Sequence, residues 1–375
     1  MSDLRERGTH VSFIARRESL YLDLARVFAS VAVLLDHTLA VFDLPWAPDL
    51  GHQAVVIFLV LSGYVIANVA ETREATPRMF LVARFARLWS VLVPAMVLTV
   101  ICDLIGHKFG LYQQSYVWSP IDHPLVRLAA ALSFLSESWV SIQPFSNFAT
   151  WSLSIEFWCY MIFAAWIFTP PGRIRVITVG VAMCFAGQKG LLLLPIWLMG
   201  VTLQKSRVLR SLHAVAGITL FFGGFVLFCW TLGSGMYADI QHAMERVEGP
   251  WLARQLDEAR AFPYDWLLGL SLAVHLAGAR TVVNQIPLEW IGGPVRWCAG
   301  ISFAAYLFHM PLLHVFAAFL PRDQGLLGLG LTVAIIAMLG SYVERTKHWW
   351  RRWLNRLVDG LLEARQAHAS QTEGV

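Results

Sequence analysis

Apolar stretches that can cross, or nearly cross, about 30 Å of hydrocarbon recur along the whole 375-residue chain. They fall near residues 20–42, 53–70, 86–106, 150–169, 174–188, 190–204, 213–233, 264–279, 298–320 and 325–344. The pattern predicts an all-α, polytopic membrane protein with about ten transmembrane helices. The fifth and sixth stretches are individually brief and meet at GQKG, 187–190, so they read either as two spans or as one re-entrant feature. With 57% hydrophobic and 14% charged residues, 16 Trp and a mean hydropathy of +0.56, the chain has too little polar surface for an ordinary soluble domain.

Residues 1–19 are polar and basic and lack a short apolar core followed by small residues, so no removable signal peptide is expected. With the N-terminus in the cytoplasm, 22 of the 29 Lys and Arg fall on the cytoplasmic side, which obeys the positive-inside bias only for an even number of spans. Both termini are therefore expected in the cytoplasm. The loops near 107–149 and 234–263 then lie on the far side and read as plain connectors or as an acceptor-facing vestibule.

After the last span, 346–366 alternates Trp349, Trp350, Trp353, Leu354, Leu357 and Leu361 with Arg351, Arg352 and Arg356, which predicts an interfacial amphipathic helix on anionic lipid. Residues 367–375 read as a disordered tail, and the membrane domain as 20–345. The five cysteines lie in or beside apolar stretches without metal spacing and read as buried free thiols.

Several spans carry charges, and an ionisable group at membrane depth costs at least about 2.5 to 3.5 kcal/mol, so each is a candidate for function. In the first span Asp23, Arg26, Ser30 and His37 share one helical stripe, with Arg26 and His37 about 16 Å apart along the axis. His37 alone reads equally as a hydrogen-bonded core residue. On this stripe it is a general-base candidate. Asp36 lies about 100° around the helix from it and need not touch it.

Arg84 and Arg87, at i and i+3, are either a positive-inside anchor or a phosphate site, which Arg73 and Arg78 would strengthen. The fourth span opens with TWSLSIEFWCY, whose Glu156 needs a cation, a donor or a proton. In the ninth span Ser302, Tyr306 and His309 share one face, as helix-packing groups or as the second wall of a cavity. Ser62 and Gly63 read as a small-residue helix contact.

Taken together, LDLARVFASVAVLLDH with its Arg-x10-His spacing, FLVLSGY, the Arg-x2-Arg pair, WSLSIEFWCY and SFAAYLFHMP resemble the membrane-bound acyltransferase 3 family, in the family's order and over about residues 18–345. The resemblance implies transfer of an acyl group, usually acetyl, from acyl-coenzyme A to a hydroxyl of a surface polysaccharide, lipid-linked sugar or glycoside. It implies His37 as catalytic base, Arg26, Arg84 and Arg87 for coenzyme A or the active-site network, and Glu156 as a further essential group. The family's usual Asp-Gly-Leu-Arg-Gly is here Asp23-Leu24-Ala25-Arg26, which keeps the charges and loses glycine. The length suggests the stand-alone kind, without a fused esterase-like domain. Acetyl-CoA is the expected co-substrate, with no metal, no nucleic-acid partner and a bacterial inner-membrane location. A transporter or flippase is the competing class, although no internal repeat or matched pair of interrupted helices points to alternating access. A membrane scaffold would tolerate replacement of Arg26, His37 and Glu156 together.

Overall fold

The computed structural model describes residues 14–44, 50–110 and 119–372; residues 1–13 of the expected N-terminal segment and 373–375 of the expected tail lie outside the described residues. Among the described residues the fold is an all-α bundle with nine helices long and apolar enough to cross a membrane. These are α1 (Arg16–Val41), α2 (Gly51–Thr72), α3 (Pro77–Lys108), α5 (Trp151–Phe168), α6 (Arg173–Lys205), α8 (Ala214–Gly233), α10 (Phe262–Val283), α11 (Gly292–Phe319) and α12 (Gly325–Thr372). Shorter helices α4 (Pro124–Leu132), α7 (Arg207–Arg210) and α9 (Met236–Leu256) lie between them.

Nine helices accommodate the ten expected apolar segments because the fifth and sixth join in α6. A straight 33-residue helix would be about 50 Å long. Instead Arg175 Nε donates to Thr169 O at 2.8 Å, while Lys205, at the other end, sits 5.3 Å from the Phe163 ring. Both ends of α6 thus return to the last turns of α5, and Phe185, near the middle, stacks on Trp158 further down. The break is at Gly187, with φ +67°, where a Cβ would lie 1.8 Å from Ser138 O. Breaking a helix orphans carbonyls. Ser138 Oγ donates to Phe185 O at 2.6 Å and Trp139 Nε1 to Cys184 O at 2.7 Å, so the connector between α4 and α5 repairs the damage.

A similar substitution positions the middle of α11. Pro311 has no N–H to offer the Leu307 carbonyl, and Asn147 Nδ2 donates to that oxygen instead, at 2.8 Å. The expected glycine contact is present, since a Cβ on Gly63 would lie 2.0 Å from Trp197 O and one on Gly200 2.0 Å from Val60 O. These close approaches lock α2 against α6.

α12 runs without a break through Thr372, so neither the expected junction at 345–346 nor the start of the tail at 367 is marked in the backbone. Its second half is not wholly lipid-facing. Trp350 packs on Trp89 with centroids 6.0 Å apart, Leu354 joins Val82 and Ala86, and Arg78 pairs with Asp359 at 2.7 Å. Trp349, Trp353, Leu357 and Leu361 remain exposed. Of the cysteines, only Cys102 and Cys159 are buried, whereas Cys184 and Cys229 lie on the outer face of apolar helices, which membrane lipid rather than protein would cover.

Candidate active site

Three cavities follow one another along α2. A groove of about 350 Å³ at the basic end is lined by Arg73, Arg84 and Arg87 and by Lys347, His348 and Arg351 of α12. It shares Val65, Arg84 and Arg87 with an inner cavity of about 90 Å³, lined also by Arg26, Glu156, Ser302 and Tyr306. An outer chamber of about 260 Å³ holds His37, Asp36, His52, Asp257 and Glu258, with Tyr306 again in its wall. The polar stripe of α1 therefore spans two compartments, with Arg26 in one and His37 in the other.

In the inner cavity Glu156 Oε1 accepts hydrogen bonds from Ser62 Oγ at 2.6 Å and from the Tyr160 hydroxyl. Trp197 Nε1 donates to Ser62 Oγ at 3.2 Å, so the Ser-Gly segment of α2 both packs and holds the carboxylate. Arg26 contacts Asp23 Oδ1 at 3.1 Å, and Asp23 bears on the cavity through that contact. Ser302 Oγ turns back to Ala299 O at 2.8 Å, while the Tyr306 hydroxyl reaches across to Ser152 Oγ at 2.7 Å.

The two arginines of α3 are not equivalent. Arg84 is buried and gives both carboxylate oxygens of Glu74 a 2.8 Å bond, so its charge is already matched. Arg87 forms no ion pair among the described residues. Arg73 lines the groove, whereas Arg78 is held by Asp359 and does not. Lys347, His348 and Arg351 were legible only as a lipid anchor, and nothing in their spacing announces the groove.

In the outer chamber His309 Nδ1 lies 3.0 Å from Ala305 O, and His309 Nε2 lies 2.7 Å from His37 Nδ1. A carbonyl only accepts, so His309 Nδ1 carries the hydrogen and its Nε2 is an acceptor in the neutral ring. His37 Nδ1 must then donate, which leaves His37 Nε2 with a free lone pair. Asp36 Oδ2 is 4.0 Å from that nitrogen, and Asp36 Oδ1 accepts from Leu50 N at 3.0 Å. Gly51 makes room for the arrangement, since a Cβ there would lie 2.6 Å from Asp36 Oδ2 and 3.0 Å from His37 Nε2.

Facing His37 is a group the sequence reading missed. His52 Nε2 bonds Asp265 Oδ1 at 2.8 Å, its Nδ1 lies 3.4 Å from Glu258 Oε2, and its ring stacks on Trp151. His52 and Asp265 are ionisable groups in apolar stretches, the signal that singled out His37, so both were findable. Glu258 lies in a polar connector with no such contrast. Burial opposes its ionisation, but the neighbouring His52, with Lys189 and His37 behind it, holds its carboxyl below the ordinary value. Asp257, although solvent-exposed, goes the other way, pushed up by desolvation from the surrounding protein and then by the adjacent Glu258.

A family model described as an acyltransferase domain matches residues 19–343, which takes in every cavity-lining residue named above except Lys347, His348 and Arg351 of α12. No curated protein and no solved structure matches the chain.

Proposed function

Because the chain belongs to the acyltransferase 3 family and is a multi-pass membrane acyltransferase, we propose that it moves an acetyl group from acetyl-CoA, entering at the basic groove, to a hydroxyl of a glycan or glycoside in the outer chamber. The observation that carries this reading is the succession of cavities, with Arg84 and Arg87 shared at one junction and Tyr306 at the other. The positive-inside bias supports placing the cation-rich end in the cytoplasm, and the reading takes the membrane to be a bacterial inner membrane.

Arg73, Arg87, Lys347 and Arg351 supply charge-assisted bonds for the phosphates of the donor. The narrow inner cavity takes the pantetheine arm, with Arg26 and the Glu156 cluster in its wall. In the outer chamber Trp151, Tyr237, Gln241 and Glu258 offer aromatic and hydrogen-bonding surface suited to a polyhydroxyl acceptor. His37 Nε2 takes the acceptor's proton as its oxygen attacks the thioester carbonyl. A C–O bond forms, the C–S bond breaks, and the imidazolium returns the proton to the leaving thiolate.

Two measurements test the reading together. Purified protein in detergent with acetyl-CoA should release free thiol, water taking the acetyl group in place of the acceptor hydroxyl. Mass spectrometry of surface glycans from cells with and without the gene should show acetyl esters that depend on it. Absence of both would leave the family's activity without this donor and acceptor.

A further inference from the structure

Tyr306 is the one described residue that lines both the inner cavity and the outer chamber. Its hydroxyl lies 2.7 Å from Ser152 Oγ, and each of the two residues is only 9% exposed. Two hydroxyls bring two O–H donors, and the bond between them uses one. Neither has another hydrogen-bond partner among the described residues, so one O–H at this junction has no acceptor on the protein. The phenol is the better donor and stands at the boundary itself. Either hydroxyl can donate to the other; with Ser152 Oγ–H donating to the Tyr306 oxygen, the Tyr306 hydrogen is free for whatever occupies the constriction.

What belongs there follows from the neighbours. Tyr306 and His309 lie three residues apart on α11 with ring centroids 6.1 Å apart, and His309 carries His37. A carbonyl at the junction is within the reach of both compartments: its thioester arm lies in the inner cavity, and an attacking hydroxyl comes from the His37 side. Charge develops on that carbonyl oxygen as the new C–O bond forms, and a donor in a water-poor cavity is where such charge is best met.

We propose that the Tyr306 hydroxyl, positioned by Ser152, is the oxyanion donor of the acyl-transfer step. The proposal rests on the acyl-transfer reading above and adds a residue to it. Acceptor O–H proton to His37 Nε2, acceptor oxygen to the carbonyl carbon, oxyanion to Tyr306, then collapse with loss of the thiolate and return of the proton account for every atom without a further reactant. Ser152 acts only through Tyr306 and is a positioning residue.

The experiment is thiol release from acetyl-CoA by the full-length protein in detergent, for Tyr306→Phe, Ser152→Ala and the double variant, with His37→Ala alongside. Tyr306→Phe should lower kcat by about 10²- to 10³-fold, the cost of losing one oxyanion donor, with KM for acetyl-CoA nearly unchanged. Ser152→Ala should lose on the order of tenfold, the worth of one hydrogen bond, and the double variant should be no worse than Tyr306→Phe. A wild-type kcat in Tyr306→Phe, a change confined to KM, or losses that multiply in the double variant would each overturn the assignment. Should Tyr306→Phe not fold, 3-fluorotyrosine at 306 keeps the ring and hydroxyl. A kcat that tracks the more acidic phenol then supports the role, and an unchanged kcat removes it. Failure of the wider reading looks different: the wild type itself releases no thiol, or His37→Ala releases as much as the wild type.

Discussion

His37 Nδ1 lies 2.7 Å from His309 Nε2, and the two imidazoles are parallel to within 4°. Because His309 is itself fixed by the Ala305 carbonyl, this bond sets the tautomer of His37 and directs its basic nitrogen into the outer chamber. His309→Phe keeps a ring in place and removes the acceptor. Its kcat should fall by roughly 10²-fold or more, the usual scale for a general base that is lost or wrongly held. KM for acetyl-CoA should hold, as steady-state kinetics on the detergent-purified variant would show; an unchanged kcat would mean that His37 is held in some other way.

Gly51→Ala tests the same nitrogen from the other side. The added methyl meets Asp36 Oδ2 at 2.6 Å and His37 Nε2 at 3.0 Å, so Asp36, His37 or the start of α2 must shift. Displacement of reacting groups by about 1 Å can cost 10²-fold. A clear fall in kcat with a melting temperature close to wild type is expected, and equal activity would show that the chamber has slack.

Arg84 and Arg87 should separate by assay. Arg84→Ala leaves Glu74 as a buried unmatched charge, and breaking a buried pair costs about 3 to 5 kcal/mol, so thermal unfolding should report it strongly. Arg87→Ala breaks no ion pair among the described residues. It should melt like the wild type and raise KM for acetyl-CoA at least tenfold, the scale of one charge-assisted bond. The reverse pattern would reassign the two residues.

Asp257 gives a pH signature. Asp257 is solvent-exposed, but desolvation by the protein around it, and then the adjacent Glu258, raise its folded-state value, so between the ordinary and raised values the folded protein binds more protons than the unfolded chain. Stability therefore falls as pH rises through that window, and the penalty stays in force above it. Asp257→Asn removes the charge, and its backbone φ of +38° is one that Asn tolerates. Melting temperatures should be higher than wild type at pH 7 and converge below the ordinary aspartate range. Parallel curves across all pH would show that the group does not titrate on unfolding.

Legibility followed the cost of burying charge. Residues whose presence in lipid demands a reason, Arg26, His37, Glu156 and the Arg84–Arg87 pair, all stand at the cavities where the structure brings them together. Their division was not legible, because a stripe on one helix gives axial distance and says nothing of where Tyr306 closes the path. Nor was the pairing of Arg84 with Glu74, since the sequence does not say which of two adjacent guanidiniums meets a carboxylate ten residues earlier. The nine-helix count turned on one glycine: GQKG was visible as a break, but only the contacts of Arg175 and Lys205 with the end of α5 show that α6 folds back on itself. Glu258 was hidden in a polar connector where a carboxylate needs no explanation.

The central claim, that His37 Nε2 is the base at the end of a donor path beginning at the basic groove, is tested most directly by His37→Ala purified in detergent. Acetyl-CoA binding by calorimetry and thiol release should be measured on the same sample. The account predicts binding within a few-fold of wild type and thiol release at the uncatalysed background. A folded His37→Ala protein that turns over acetyl-CoA at the wild-type rate would contradict it.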